Sequence, residues 1–318
     1  MIVTITINPA IDKSTTTEKL VPDKKLRCSN VVIEAGGGGI NVSKAIRELG
    51  GQSLAVFPSG GMNGKLIEKY FEKRGIHFKT IPLEEETREN IMVCESISNA
   101  QYRFIMPGPT LSQKEANQCF ELIKSLSPVP TIIVASGSLA PGLPETFFQE
   151  LAALSKVLNA KLFVDTSGRP LQLAANEGVF LLKPNLTELC GLSGKEHLEL
   201  DEVDDAAFEI IKKGHCEVIV VSMGPSGAIL VTRDGSQHIP APSVKKLSTV
   251  GAGDSMVAGM AWMLEQGKSL IDMARFGVAC GTAATMNAGT QLFKKDDVFK
   301  LYNWINEYPV KYKINTPA

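Results

Sequence analysis

Thr131-Ile-Ile-Val-Ala-Ser-Gly-Ser138 is a short apolar run that stops in serine and glycine and gives way to a helical pattern. Three further stretches repeat that sequence of events: Lys161 to Val164 before Asp165, Val179 to Leu182 before Lys183-Pro184-Asn185, and Val218 to Val221 before Ser222. A repeated strand then helix predicts an α/β fold with a mainly parallel central sheet and helices on both faces. In such sheets ligands bind at the carboxyl ends of the strands, so the residues that end these runs belong to one rim. That rim would gather Asp12, Ser138, Asp165, Asn185 and Ser222. The first residues, Met1-Ile-Val-Thr-Ile-Thr-Ile-Asn8, alternate like a half-buried strand rather than a basic stretch followed by an apolar run, so no signal peptide is expected.

Later in the chain, Ser248-Thr-Val-Gly-Ala-Gly-Asp-Ser255 puts a glycine-rich turn and a carboxylate at the head of an apolar pattern. Met256, Val257, Met260, Met263 and Leu264 recur at helical spacing and Gly267 is a stop, which starts the helix close to Asp254. The first amides of a helix lack intrahelical partners, and with the dipole they form an anion site. Gly251 and Gly253 let backbone approach a phosphate. A carboxylate beside such an anion serves binding poorly, but it serves as a base that takes a proton from an attacking hydroxyl. An aspartate that merely caps the helix is the competing reading.

Two stretches break the strand–helix rhythm, about Ser14 to Ala35 and about Arg88 to Met106, with Asn90-Ile-Met-Val-Cys-Glu95 and Gln101-Tyr-Arg-Phe-Ile-Met106 as β-forming runs. They are expected to form a small antiparallel sheet (14–35 and 88–106) standing off a main body made of 1–13, 36–87 and 107–318. A sheet that small is marginal alone, so it should cover the site, meet a second subunit, or both. Gly36 to Gly39 joins it to a helix beginning near Asn41, as a hinge or a close approach to ligand. The end from about Glu307 to Ala318 reads as loosely held.

Composition narrows the function class. Over 318 residues, 33 basic and 34 acidic side chains give a formal net charge of −1, so no global field favours nucleic acid or an anionic membrane. Six cysteines and four histidines are dispersed, with no C-x-x-C pair, so reduced thiols and no zinc site are expected. Without an apolar run of roughly twenty residues no membrane span is expected, and the cytoplasm is the expected compartment. Ser59-Gly-Gly-Met-Asn-Gly-Lys-Leu66 misses a P-loop, having serine at the first glycine and Leu66 where a hydroxyl must meet magnesium. Gly251-Ala-Gly-Asp-Ser-Met256 lacks the third glycine of a dinucleotide fingerprint, and the protein-kinase motifs are absent.

Five runs remain, and they occur in a set order: Gly36-Gly-Gly-Gly-Ile-Asn41, Ser136-Gly-Ser-Leu139, Lys183-Pro-Asn185 with Glu188, Ser222-Met-Gly-Pro-Ser-Gly227 and Thr249-Val-Gly-Ala-Gly-Asp254. Together they resemble the ribokinase-like carbohydrate kinases, the phosphofructokinase B family, over nearly the whole chain. The resemblance implies a three-layer ribokinase-like fold with a β-sheet lid. Lys25-Leu-Arg-Cys28, Thr87-Arg-Glu-Asn90 and Gln101-Tyr-Arg-Phe-Ile-Met-Pro-Gly108 are similar to the minor bacterial 6-phosphofructokinase branch. The fructose-1-phosphate branch usually reads Gly-Lys-Gly-Ile-Asn, and Gly38 stands here at the lysine position.

Carried over residue by residue, the resemblance implies phosphorylation of fructose 6-phosphate at C1 by ATP, with Asp254 as base and the amides of Gly251, Ala252 and Gly253 as anion hole. Asp12, Gly37, Gly38, Asn41 and Ser138 would line the sugar site, with Lys25, Arg27, Arg88 and Arg103 as cationic lid groups for its phosphate. Lys183, Asn185, Ser222, Gly224 and Gly227 would serve the nucleotide. Asn185 and Glu188 would organise hydrated magnesium. Ser248, Val250, Asn287 and Gly289 would shape a backbone loop for a monovalent cation such as potassium. In the resembled enzyme part of the cationic set comes from a neighbouring subunit, which implies a homodimer through the lid. Val21 replaces an aromatic residue of that enzyme's inhibitory ATP site. Tagatose 6-phosphate or fructose 1-phosphate as acceptor, and a binding regulator without catalysis, stand as alternatives.

Overall fold

The computed structural model describes residues 1–287, 289–308 and 312–314. Among them, strands β1 (Ile2–Ile5), β4 (Ser53–Gly60), β5 (His77–Leu83), β8 (Ile132–Ser136), β9 (Lys161–Asp165), β10 (Val179–Leu182) and β11 (Cys216–Ser222) pair in parallel. Strands β12 (Ala228–Thr232), β13 (Gly235–Ile239) and β14 (Tyr312–Ile314) extend the same sheet antiparallel. The order across it is β14-β13-β12-β11-β10-β9-β8-β1-β4-β5. One flank carries α3 (Gln113–Lys124), α4 (Phe147–Val157), α5 (Gly168–Glu177), α6 (Leu186–Ser193) and α7 (Val203–Lys212); the other carries α1 (Gly38–Glu48), α8 (Ala252–Glu265), α9 (Leu270–Thr285) and α10 (Lys295–Glu307). Helix α2 (Gly61–Arg74) packs Ile67 and Phe71 against Phe57 and Ile11 in a third cluster.

The strand period fixes these layers, because successive side chains leave a sheet on opposite faces. In β8, Ile133 and Ala135 join the core under α3 to α7, while Ile132 and Val134 join the core under α8 and α9. Strand β1 departs from the half-buried expectation: all four of its residues are buried. Its threonines are not solvent-facing but bonded to the overlying helix segment, Thr4 Oγ1 to Ser43 Oγ at 2.7 Å, and Thr6 Oγ1, just past the strand, accepting from the Ile40 amide at 2.7 Å. Alternation here marks hydrogen-bonding against a helix, which a buried hydroxyl needs.

A second sheet has the order β3-β2-β6-β7, from β2 (Ala10–Thr17), β3 (Ser29–Gly36), β6 (Arg88–Glu95) and β7 (Gln101–Ile105). The antiparallel expectation is corrected at its centre, where β2 and β6 run parallel, Asp12 opposite Asn90. Asp12 does not end the first strand; it lies inside β2, with Glu34 of β3 on its other side. The wide chain separation between β2 and β6 permits the parallel pairing, since no short turn has to join them. Part of the 307–318 end lies outside the described residues, while Tyr312–Ile314 pairs with β13. No described helix is long and apolar enough to cross a membrane.

Candidate active site

The carboxyl ends of the parallel strands gather Asp165, Asn185 and Ser222 of the expected rim, whereas Asp12 comes from β2 of the second sheet and Ser138 lies in the connection after β8. Ser136 pairs with Asp165 in the β8–β9 ladder, and Asn185 bridges to Ser222 beyond β10 and β11. Above this rim α8 begins, two residues earlier than the sequence pattern placed it. Gly251 precedes it in the left-handed conformation (φ 70°), so the chain turns there without side-chain strain. Asp254 thus lies in the first turn instead of capping the helix. Its Oδ2 accepts from Asn41 Nδ2 at 2.9 Å and its Oδ1 from Ser136 Oγ at 3.2 Å. Helix geometry leaves the first α8 amides without intrahelical partners, although the Ala252 amide leans on the Thr249 carbonyl at 3.4 Å.

Burial raises the Asp254 carboxyl to a pKa of about 6, helped by the negative charge of Asp165 and opposed by Asn41, Lys183 and Ser136. A carboxylate poised there is a base at neutral pH that can hold a proton once it has taken one. Lys183 is buried, with Nζ 3.2 Å from Asp165 Oδ1. Burial works against its ammonium, but Asp165, with Glu188 and Asp254, outweighs that and holds the pKa above the usual lysine value. A Cβ on Gly253 would lie 3.4 Å from Lys183 Nζ, so the cation sits against the glycine turn.

On one side of Asp254 the glycine run meets the second sheet. A Cβ on Gly36 would fall 1.9 Å from Asp12 Oδ2, so glycine is what leaves room for that carboxylate. Asp12 Oδ1 accepts from Asn90 Nδ2 at 2.8 Å, and burial raises its pKa against the pull of Asn90, Lys44 and Arg88. Gly37 has φ 116°, and a Cβ on Gly38 would stand 2.2 Å from Ser136 Oγ. Arg88 donates to the Asn8 carbonyl at 3.0 Å and the Met106 carbonyl at 3.1 Å, and its buried Nε has no described partner. Arg103 reaches from β7 to Thr249 Oγ1 at 3.4 Å, beside the glycine turn. Ser138 is exposed and accepts from Asn8 Nδ2 at 3.3 Å. Lys25 and Arg27 are exposed in the 18–28 connection, and no described side-chain bond brings them to this group.

On the other side of the turn lies a mostly apolar cavity of about 420 Å³, lined by Ser222, Gly224, Gly227, Thr249, Gly253 and Val278 among others. Gly227 has no space for a side chain, since a Cβ would lie 2.0 Å from the Ile239 carbonyl oxygen. A larger cavity, about 840 Å³, opens at the amino ends of β8 to β11, away from every residue above. Asn185 and Glu188 form a reciprocal cap on α6, each side chain accepting the other's amide at 2.9 Å. Ser248 Oγ donates to the Gly289 carbonyl at 2.9 Å and accepts from the Val250 amide at 3.2 Å, and Asn287 closes the end of α9 onto the Ala283 carbonyl, so these two segments do meet.

Sequence reasoning gave no role to Asn8, Glu34, Lys44, Asn90 or Thr290. Lys44 had a findable signal, standing three residues after Asn41 on one helix face; the others depend on strand register. The near P-loop of 59–66 holds an anion after all, the chain's own Glu86, whose carboxylate accepts from the Met62 amide at 3.2 Å and the Asn63 amide at 2.5 Å.

Known proteins resemble this chain along nearly its whole length. The model of the "pfkB family carbohydrate kinase" family matches residues 1–297. The chain is 40% identical over 306 residues to the ATP-dependent 6-phosphofructokinase isozyme 2 of Escherichia coli strain K12, covering 96% of this chain and 99% of that protein. It is 32% identical over 307 residues to a 1-phosphofructokinase of Borreliella burgdorferi, covering 95% and 96%. Among solved structures, phosphofructokinase-2 from E. coli in complex with potassium superposes with a TM-score of 0.92 at 40% identity, over 96% of this chain and 99% of that one.

Proposed function

This chain belongs to the pfkB family of carbohydrate kinases, and from that premise we propose that it phosphorylates fructose 6-phosphate at C1 with ATP, yielding fructose 1,6-bisphosphate and ADP. The observation that carries the reading is the position of Asp254, held by Asn41 and Ser136 between the apolar cavity and the Asp12 wall. The base lies where acceptor and donor meet.

In this reading Asp254 takes the C1 hydroxyl proton as that oxygen bonds to the γ-phosphorus. The bond from phosphorus to the bridging oxygen of ADP breaks, and its electrons stay with ADP. The amides of Gly251, Ala252 and Gly253 neutralise the transferring group, with Lys183 against the same turn. Asp12, Gly37, Gly38, Asn41 and Ser138 orient the sugar. Arg88 and Arg103 grip its phosphate, joined by Lys25 and Arg27 if the 18–28 connection folds over the site. The cavity takes the nucleoside, past Ser222, Gly224 and Gly227.

Magnesium supplies charge neutralisation on the ATP phosphates when bound. Glu188 spends one carboxylate oxygen on the helix cap and keeps the other, which suits a water-mediated hold shared with Asn185. The paired segments at Ser248, Val250, Asn287 and Gly289 suit a potassium loop built from carbonyls. The second sheet, 14–35 and 88–106, is assigned as a lid and as the contact between two copies, because Val31 (64% exposed), Ile33 (47%) and Phe104 (45%) bare an apolar surface on the face turned away from Asp12. The cytoplasm is the compartment this metabolism requires.

The relation to a 1-phosphofructokinase favours a second reading, fructose 1-phosphate as acceptor. Against it, Gly38 abuts Ser136 so closely that a lysine there has no room in this frame. ADP release with magnesium ATP, ranked by kcat/KM over fructose 6-phosphate, tagatose 6-phosphate, fructose 1-phosphate, fructose and ribose, tests the assignment. Preference for another phosphorylated sugar would keep the mechanism and change the substrate. Turnover of none would leave a binding regulator.

A further inference from the structure

Lys44 is a buried cation one turn along α1 from Asn41, and the reaction above gives it no work. Its Nζ donates to the Ala35 carbonyl at 2.9 Å and to Asn41 Oδ1 at 3.4 Å, and lies 3.8 Å from Glu34 Oε2. A carboxamide has its oxygen and its NH₂ on opposite ends of one plane, so fixing the oxygen aims the nitrogen. With Oδ1 turned to the ammonium, Asn41 Nδ2 is delivered to Asp254 Oδ2 at 2.9 Å. The flipped amide would set its oxygen against the Asp254 carboxylate and its NH₂ against the ammonium, losing both contacts.

We propose that Lys44 is a positioning residue for phosphoryl transfer: it holds the Asn41 amide in the orientation that serves Asp254, and ties that orientation to β3 through Ala35 and Glu34. The proposal rests on Asp254 acting as the base. Glu34 is a junction in its own right, accepting from Thr290 Oγ1 at 2.6 Å, one residue from the Gly289 carbonyl that Ser248 binds. A shift of the second sheet is thereby felt at the base through one side chain. A lysine present only to neutralise Glu34 would have no need of Asn41, and that difference can be measured.

Removing Lys44 alone would strand a buried Glu34, so the informative variant is the pair Glu34→Gln/Lys44→Met, made in wild-type and in Asn41→Ala backgrounds. The charged groups facing Asp254 are Asp165 from β9, Lys183 beyond β10 and Lys44 itself; the titratable and charged groups facing Lys44 are Glu34, Asp12 from β2, Arg74 and Tyr70 from α2, and Asp254. With Asn41 present, the pair should lower kcat roughly ten- to a hundredfold, the scale of losing an orienting outer partner. The KM for ATP should hardly move, and the acid limb of kcat should shift above pH 6, since the Asn41 bond favours the charged carboxylate. In Asn41→Ala the same pair should change kcat by less than about twofold. Lys44→Arg, which keeps a donor, should restore most of the rate. An equal loss with and without Asn41, or wild-type kcat with an unmoved acid limb, would overturn the proposal. Should the pair not fold, Lys44→Gln in the two backgrounds carries the same comparison. Asp254→Asn assayed alongside separates the two readings: retained turnover there removes the base itself, whereas loss there with independent Lys44 and Asn41 effects removes only the positioning role.

Discussion

The charge on Asp254 sets the terms at the scale of single residues. Asp254→Asn should bind ATP and lose roughly a hundred- to ten-thousandfold in kcat, the scale of removing a general base; activity within about threefold of wild type would take the role away. Because burial raises this carboxyl to about 6, kcat should fall about tenfold per pH unit below that point. The same shift has a stability sign. The folded state binds the proton more tightly than the unfolded chain, so the penalty of the buried charge is absent at low pH and is paid in full once pH rises through the folded pKa. Asp254→Asn should therefore melt higher than wild type at pH 8, with the gap closing as pH falls through 6; calorimetry across that range decides it. Gly38→Ala must displace Ser136, which donates to the same carboxylate, and should cost about 1–3 kcal/mol of stability along with most of the turnover. The place of Asp254 at the head of α8 was legible in sequence because a glycine turn before an apolar helical pattern marks a helix start. Asn90 was not, since nothing in its own neighbourhood says that it will face Asp12.

For elements, the sequence reported faces better than partners. Alternation in 88–106 located β6 and β7, but a period of two carries no information on which strand lies alongside or in which direction, so the parallel β2–β6 pair went unseen. With it went the placement of Asp12, which was read as a strand end and is a mid-strand residue held between Glu34 and Asn90. The parallel main sheet was readable because its strands, buried on both faces, appear as continuous apolar runs. On the second sheet, Arg88→Ala and Arg103→Ala should each raise the KM for sugar phosphate far more than that for ATP; equal effects on both substrates would count against a phosphate clamp. Arg88 additionally pins the Asn8 and Met106 carbonyls, so its removal should lower the melting temperature where that of the exposed Arg103 should not.

At the scale of the whole molecule, apolar side chains on β3 and β7 make association the expected state. Val31→Asp with Phe104→Asp should shift sedimentation towards the monomer and weaken sugar-phosphate turnover together; a monomer of undiminished activity would separate the lid from the contact. The order of strands in the main sheet bears on how the chain is made. Strand β1 is made before the other described strands yet ends between β4 and β8, so its second neighbour arrives only when Ile132 to Ala135 have been synthesised. Until then the central seam stands open on one edge, and Ile2, Val3 and Ile5 must wait beside a gap. That interval, set by topology and not by any weak contact, is when the nascent chain has most need of a chaperone.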